Sequence, residues 1–166
     1  MANRLEFEHW VPSSLTRVFA FFSDPKNLPR IMPSSSATRL IAVNRVPSPQ
    51  PNSNAAGVGT TMVTSFRTVP GLPFRSQWVA RITEFEWNHH FADVQDRGPF
   101  KSWRHRHEFK AEKRESVEGT LIRDVIEYDV GFGPLGALAN ILFVQNQIKR
   151  TFLDRQRKLP ALLEQS

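Results

Sequence analysis

The stretch KSWRHRHEF, residues 101–109, holds the residue types of this chain that are best suited to chemistry. Imidazole binds divalent metals and exchanges protons near neutral pH, and this stretch has two histidines separated by one residue. In a β-strand, alternate residues share a face, so Trp103, His105 and His107 would lie on one side. The two intervening arginines would lie on the other side and face water. The pattern predicts a strand whose histidines point into the protein together with the aromatic side chains.

The register of the following strand indicates which groups meet these histidines. If the loop before Gly119 closes a hairpin, His107 faces Asp124 on the next strand. The same register pairs Trp103 with Tyr128. A carboxylate and a phenol would therefore lie next to the inward face of the first strand.

The preceding strand brings further polar groups to the same face. In FADVQ, the residues Asp93 and Gln95 lie on the face of Phe91, because they follow it at spacings of two and four. A short connection around Gly98 would then set Phe91 beside His105. The sequence thus predicts an inner patch where carboxylates and imidazoles lie among aromatic side chains.

Three interpretations of this patch remain open. His105, His107 and one carboxylate could bind zinc, since two histidines at i and i+2 on a strand can share a metal. In the second interpretation, a carboxylate such as Asp124 holds an inward histidine in a structural pair, and a charged ring there would have a raised pKa. In the third, His105, His107 and Asp124 are catalytic acid and base groups. We favour the structural pair, because the sequence supplies no clear closed set of ligands. No metal and no cofactor are therefore predicted.

The composition indicates a single domain with a large core. The chain has 166 residues, of which 40% are hydrophobic, including 13 Phe and 4 Trp. This length fits one domain over residues 1–166. Since there is no Cys, disulfides, thiolate metal sites and cysteine nucleophiles are excluded. Residues 1–20 lack the apolar core of a signal peptide, and no apolar run approaches the ~20 residues of a membrane span. We expect a cytoplasmic protein with no integral membrane association.

The charge balance is basic, with 22 Lys and Arg against 16 Asp and Glu, a net charge of +6. Such a balance is typical of proteins that bind nucleic acid or anionic membranes. The basic residues are scattered, however, and many alternate with apolar residues, as on the outer face of strands. We therefore predict no nucleic acid partner. Binding of nucleic acid or of an anionic membrane through the basic surface stays an alternative.

Hydrophobic periodicity predicts an α+β architecture with about seven strands. Apolar and polar residues alternate in several segments, among them residues 5–11 and 74–86. Near the C-terminus the apolar residues recur every three or four positions, which predicts a helix over 135–159. Pro134 fits its first turn, and Pro160 marks its end or a kink. The apolar stripe of this helix must pack on the sheet.

Three stretches of the sequence resemble the START/polyketide cyclase–dehydrase (SRPBCC) superfamily, in a bacterial branch of uncharacterised proteins. They are FADVQDRGPFKSWRHRHEF, GTLIRDVIEY and GPLGALANILFVQNQIKRTFLDRQRKL. The resemblance covers essentially the whole chain. It implies a helix-grip (START-like) fold, in which a seven-stranded antiparallel sheet curls around a long C-terminal helix. It also implies an apolar cavity for a lipid, sterol, polyketide or aromatic compound.

The expected function is binding of such a small hydrophobic molecule between the curved sheet and the C-terminal helix. The alternative is a cyclase/dehydratase-type enzyme that uses His105, His107 and Asp124 as acid/base groups, and the sequence leaves open whether a reaction is catalysed. The expected ligand contacts are the large and polar residues on inward positions: Phe7, Trp78, Phe91, Trp103, His105, His107, Tyr128, Leu138 and Leu142.

Overall fold

The computed structural model describes residues 2–50, 53–67 and 74–165. Seven strands form one antiparallel sheet in the order β1-β7-β6-β5-β4-β3-β2. The strands are β1 (Asn3–Val11), β2 (Arg39–Asn44), β3 (Thr61–Arg67), β4 (Arg75–Glu86), β5 (His90–Arg97), β6 (Ser102–Arg114) and β7 (Val117–Asp129). The helices are α1 (Leu15–Ser23), α2 (Leu28–Ile31), α3 (Gly133–Ala139) and α4 (Gln145–Glu164), with a π-helical segment, Asn140–Val144, between the last two. The sheet curls around the C-terminal helix, which confirms the helix-grip prediction.

The hairpin of β6 and β7 has the register that the sequence predicted. His107 pairs with Asp124, and Trp103 pairs with Tyr128. The register is well specified because one face of this hairpin is buried, so a slip by one residue would expose the whole apolar set. The two imidazoles are therefore fixed on the inner face of the sheet.

The predicted pairing of β5 with β6 was wrong by two residues. Phe91 faces His107, and Asp93 faces His105. The connection is centred on Pro99 rather than Gly98, and the side chain of Gln95 holds it by donating a hydrogen bond to the carbonyl of Phe100 at 2.7 Å. The two-residue difference keeps the same residues on the inner face but brings a carboxyl group next to His105.

The outer face of the sheet carries the arginines, as predicted, and pairs them with carboxylates. Arg104 lies 2.6 Å from Glu84 and 3.2 Å from Glu127. Arg106 contacts Glu84 and also Glu108, the latter at 2.9 Å. Partly exposed pairs of this kind at the surface contribute about 1 kcal/mol or less each, so they orient the side chains more than they stabilise the fold.

Helix α1 closes one end of the concave face of the sheet. Ser14 occupies its N-cap position, although its side chain makes no capping hydrogen bond. Phe19 is fully buried and meets Phe91 and Phe109 edge to face at centroid distances of 5.9 and 5.1 Å. Edge-to-face packing is a favourable geometry for aromatic rings. This end of the sheet is therefore a solid core.

The C-terminal helix is longer than predicted. It begins with Pro134 in its first turn, as predicted, but it continues through Pro160 to Glu164. Proline in a helix removes one hydrogen bond. Burial of Leu159 and Leu163 on either side of Pro160 stabilises the last turns and offsets that loss. No helix within the described residues is long and apolar enough to span a membrane.

The expected inward positions of Leu138 and Leu142 were wrong, since these side chains are 54% and 53% exposed. The face turned to the sheet carries Gly136, Asn140 and Val144 instead, in line with the buried residues of α4. The amide of Asn140 accepts a hydrogen bond from the hydroxyl of Tyr128 at 2.8 Å and donates one to Asn3 at 3.0 Å. With Asn140 directed at the sheet, the two leucines point outward. Together with them, a group of large apolar side chains forms what we call the exposed helix face: Phe132, Leu135, Leu138, Ile141, Leu142 and Phe143.

Candidate functional site

A cavity of about 390 Å³ lies between the concave face of the sheet and helices α1, α2 and α4. Its wall is mainly apolar and aromatic, and includes Phe22, Trp78, Phe91, Trp103, Ile148 and Phe152. Among the described residues that line it, Arg67, Pro99 and Gln147 are exposed. The cavity therefore reaches the surface between the end of β3, the turn after β5 and the first turn of α4.

Two tryptophans form the aromatic wall near this mouth. The rings of Trp78 and Trp103 meet edge to face at 5.0 Å, and Phe100 packs on both at 5.7 and 5.0 Å. All three residues line the cavity. Both indoles are thus placed to report on an occupant through their fluorescence.

Phe7 and Tyr128, which the sequence placed among the ligand contacts, are not part of the lining. Phe7 stacks on Phe152 at 4.5 Å, and Phe152 stands between it and the cavity. Tyr128 is buried beside Trp103 at 5.9 Å. The alternation of a strand identifies the inward face, but it does not distinguish the layer that touches the cavity from the layer behind it. These two residues support the wall instead of contacting an occupant.

The inner end of the cavity is polar. Asp124, on β7, lies between three cationic or imidazole groups. Its Oδ1 lies 3.0 Å from Nε2 of His105 and 2.7 Å from Nδ1 of His107, and its Oδ2 contacts the guanidinium of Arg155. On the other side, Oδ2 of Asp93 lies 4.0 Å from Nδ1 of His105. We call these five residues the polar cluster.

The sequence predicted four members of the polar cluster and missed Arg155. This residue extends from α4 and is 7% exposed, with its guanidinium over the rings of Phe22 and Phe152 at 5.0 and 4.7 Å. A signal was present, because Arg155 lies on the inward apolar stripe between Phe152 and Leu159. A charged residue on such a stripe requires a buried partner, and here the partner is Asp124.

Asp124 is ionised in this setting. Burial by itself would raise the pKa of this carboxyl, but the charge of Arg155 and the two adjacent imidazoles outweigh it and hold the pKa well below the usual range. An ionised carboxylate only accepts hydrogen bonds. Nε2 of His105 therefore donates to Asp124, and in the neutral ring its Nδ1 is left with a free lone pair on the side of Asp93.

The pKa values of His107 and Asp93 shift in the opposite sense to those of a simple ion pair. Burial, reinforced by His105, lowers the pKa of His107 to about 3, so this ring is neutral at neutral pH. The pKa of His107 is therefore not raised, as it would be for a charged histidine beside a carboxylate. Burial raises the pKa of Asp93, with Asp124 adding to the effect while His105 and Arg155 partly oppose it.

Asp124 does not line the cavity, whereas His105, His107 and Asp93 do. Asp124 therefore positions the imidazoles from behind. Two groups within the described residues have the donor types and spacing to hold a metal ion: Asp93, His105 and His107 inside the cavity, and Glu86, His89 and His90 at the turn from β4 to β5.

A family model described as polyketide cyclase/dehydrase and lipid transport matches residues 11–157. The chain belongs to this family. The family description supports binding of small hydrophobic molecules in general terms, and it leaves the particular ligand open. Among curated proteins, none matches the sequence at a significant level.

Solved structures similar to this member of the polyketide cyclase/dehydrase family share its fold over nearly the whole chain. TTHA0849 from Thermus thermophilus is 15% identical, with a TM-score of 0.67 and coverage of 97% of each chain. Norcoclaurine synthase from Thalictrum flavum is 16% identical, with a TM-score of 0.62 over 96% of this chain and 86% of that one. Major latex-like protein 151 from Panax ginseng is 12% identical, with a TM-score of 0.58 and coverage of 96% of each chain. At these identities the likeness establishes the fold alone.

Proposed function

We propose that this protein binds a lipid, sterol, polyketide or other aromatic compound in the cavity between the sheet and helix α4. The observation that carries the proposal is the cavity itself, at about 390 Å³ with a mainly apolar wall. Pockets for small molecules usually have volumes of ~300–1,000 Å³, an apolar lining and a few convergent polar groups. The combination of the aromatic wall and the polar cluster fits that description.

The polar cluster gives an occupant one orientation. The apolar part of a ligand would lie against Trp78, Trp103 and Phe152, where its burial contributes about 25 cal/mol per Å². An oxygen on the ligand would lie at the inner end, within reach of Asp93 and the two histidines. A buried polar group without a partner costs free energy, so ligands with an oxygen at one end should be preferred to pure hydrocarbons of the same size.

A second candidate function is acid/base catalysis of the cyclase/dehydratase type. The observation that favours it is that His105, His107 and Asp93 reach the cavity directly, so proton donors and acceptors would touch an occupant. Asp124 and Arg155 would hold the imidazoles in place. A point mutant of one protein of this fold, norcoclaurine synthase from Thalictrum flavum, has been solved with a transition state analogue.

Titration of tryptophan fluorescence with fatty acids, sterols and flavonoids tests the binding proposal. Trp78 and Trp103 both line the cavity, so a ligand should quench their emission saturably, and the double variant Trp78→Phe/Trp103→Phe should remove most of that signal. Trp10 provides the matched control, because its indole binds the carbonyl of Glu112 outside the cavity. Trp10→Phe should leave the binding curve unchanged.

The same preparation separates the two candidate functions. If the wild-type protein converts a compound of the panel, loss of that conversion in His107→Ala, with the quenching curve retained, would support catalysis. Absence of saturable quenching across the whole panel, or quenching equally strong in the Trp78→Phe/Trp103→Phe double variant, would contradict ligand binding in the cavity.

A further inference from the structure

We propose that Asp93, His105 and His107 bind one divalent transition-metal ion at the inner end of the cavity. The proposed ligand binding does not require a metal, so this inference goes beyond it. The sequence lacked a clear third ligand for the two histidines, and the register of the sheet supplies one, since Asp93 lies directly opposite His105.

The strands bring the three donor groups together without help from a loop. His105 and His107 lie at i and i+2 on β6, with ring centroids 3.9 Å apart, and Asp93 lies on the neighbouring strand. One donor atom from each residue lies within 4.8 Å of the other two. Donor atoms around a tetrahedral zinc ion are about 3.4 Å apart. Nδ1 of His105 and Oδ2 of Asp93, at 4.0 Å, would approach one another by only about 0.6 Å.

Asp124 does for His105 what an outer carboxylate does in metal sites. A metal-binding histidine usually donates its second ring nitrogen to a carboxylate, which fixes the ring and makes the other nitrogen a better ligand. Nε2 of His105 donates to Asp124, and this bond leaves Nδ1 on the side of Asp93. Arg155 pairs with the other oxygen of Asp124, so the charge of the guanidinium is compensated before any cation enters.

His107 supplies an independent observation. It is 6% exposed and faces the cavity, yet its Nδ1 has no correctly directed hydrogen-bond partner within the described residues, although Asp124 lies 2.7 Å away. Buried polar groups are nearly always paired, so an unmet ring nitrogen requires an explanation. Ligation of the ring to a metal would reorient it and supply that explanation.

The donor set indicates the class of ion. Two imidazoles and one carboxylate suit zinc and neighbouring first-row ions such as cobalt, whereas calcium and magnesium prefer oxygen donors alone. Since all three residues line the cavity, the remaining coordination positions would face an occupant. The metal would then bind the oxygen end of a ligand.

Chelator-treated full-length protein, titrated with Zn²⁺ and Co²⁺ in the absence of any organic ligand, tests the inference. We expect one ion per chain, a visible Co²⁺ absorption band and a higher midpoint of thermal unfolding. Asp93→Asn, which keeps the shape of the side chain, should weaken binding at least about 100-fold. The double variant His89→Asn/His90→Asn is the matched control, because it removes the exposed cluster and should leave both affinity and stoichiometry unchanged.

Nuclear magnetic resonance on the wild-type protein keeps the test decisive even if a variant fails to fold. Bound Co²⁺ is paramagnetic, and it should displace the ring-proton signals of its ligands His105 and His107 far more than those of His89 and His90. No stoichiometric binding, or a larger displacement of the His89 and His90 signals, would overturn the inference. Either result would leave the ligand-binding proposal standing, since that proposal is measured without metal.

Discussion

Two regions depart from the usual distribution, in which apolar side chains are buried and polar side chains face water. On the inner face of β6 polar side chains are buried, and on the first half of the C-terminal helix apolar side chains are exposed. His105 and His107, 8% and 6% exposed, are polar groups inside an apolar cavity. Leu135 and Phe143, 77% and 69% exposed, are apolar groups in water. Polar groups in a core are expensive unless they are paired, and the polar cluster pairs nearly all of them. Apolar groups at the surface contribute little to folding, so the exposed helix face is not part of the core.

The difference shows where the stability of the fold depends on individual residues. Within the polar cluster Asp124 is the common partner of His105 and Arg155, so its removal leaves a buried imidazole and a buried guanidinium without their partner. On the exposed helix face, each side chain can be replaced without leaving a buried group uncompensated. The two regions should therefore respond to substitution very differently.

The largest expected effect is that of Asp124→Asn. The substitution leaves the buried guanidinium of Arg155 without its counter-charge, which costs about 3–5 kcal/mol when a buried pair loses one partner. Urea denaturation measures the free energy of unfolding. Glu84→Gln, which removes a carboxylate that pairs with two arginines on the outer face, is the control and should cost at most about 2 kcal/mol. Equal losses in the free energy of unfolding for the two substitutions would contradict the claim that stability depends on individual residues of the polar cluster.

Acid should destabilise the protein through His107. Its folded pKa, about 3, lies below the unfolded value of about 6.5, so the unfolded chain binds the proton first. The contribution of the neutral ring to stability is complete above pH ~6.5 and declines as pH falls toward about 3. At pH 5 the loss should be about 2 kcal/mol in metal-free protein.

Unfolding curves between pH 4 and pH 8 check this expectation with a chelator present. His107→Gln should flatten the pH dependence, whereas His89→Gln, at the exposed turn, should leave it unchanged. A wild-type slope that persists in His107→Gln would assign the acid sensitivity to other groups.

Asn140→Ala should have an intermediate effect of about 1–3 kcal/mol. It removes the acceptor for the buried hydroxyl of Tyr128, and an unpaired buried group costs that much. It also tests whether this amide sets which side of the helix faces the sheet. Thermal or urea unfolding gives the free energy, and Asn146→Ala, on the exposed side of α4, is the control. No difference between the two variants would contradict a role for Asn140 in orienting the helix.

The smallest expected effects are those of Leu138→Ser and Leu142→Ser, at about 0.5 kcal/mol or less. Both side chains are more than half exposed, so substitution buries no polar group and opens no cavity. Ile148→Ser, two turns along the same helix but buried, should cost several times more. A cost of about 2 kcal/mol or more at Leu138 or Leu142 would mean that these residues pack inward after all.

The sequence was sufficient for the parts of the fold that depend on alternation and short turns. The β6–β7 hairpin could be aligned because its loop is short and its buried face specifies the register. The β5–β6 pairing could not, because the side chain of Gln95 holds a turn whose centre lies one residue further along than its glycine suggests. The alternation of apolar and polar residues predicts which face of a strand each side chain lies on. The length of the turn then decides which residues of the two strands are paired.

The C-terminal helix shows why the rest could not be predicted. Its leucines follow a helical period, but the segment Asn140–Val144 is π-helical, and a polar residue, Asn140, is the one that turns inward. Arg155 could likewise not be predicted from its position on an apolar stripe. Burial of its guanidinium is favourable only because of a carboxylate that lies 31 residues away in sequence. Both residues are polar groups that become favourable only when a distant partner is in place.

Native mass spectrometry of the purified protein mixed with the lipid, sterol and flavonoid panel tests the central claim most directly. If the cavity is a binding site, at least one class should give a one-to-one complex at micromolar concentration. Trp103→Ala should weaken that complex, and Trp10→Phe should not. Wild-type protein that stays at the mass of the free chain with every compound, at saturating concentration, would contradict the account.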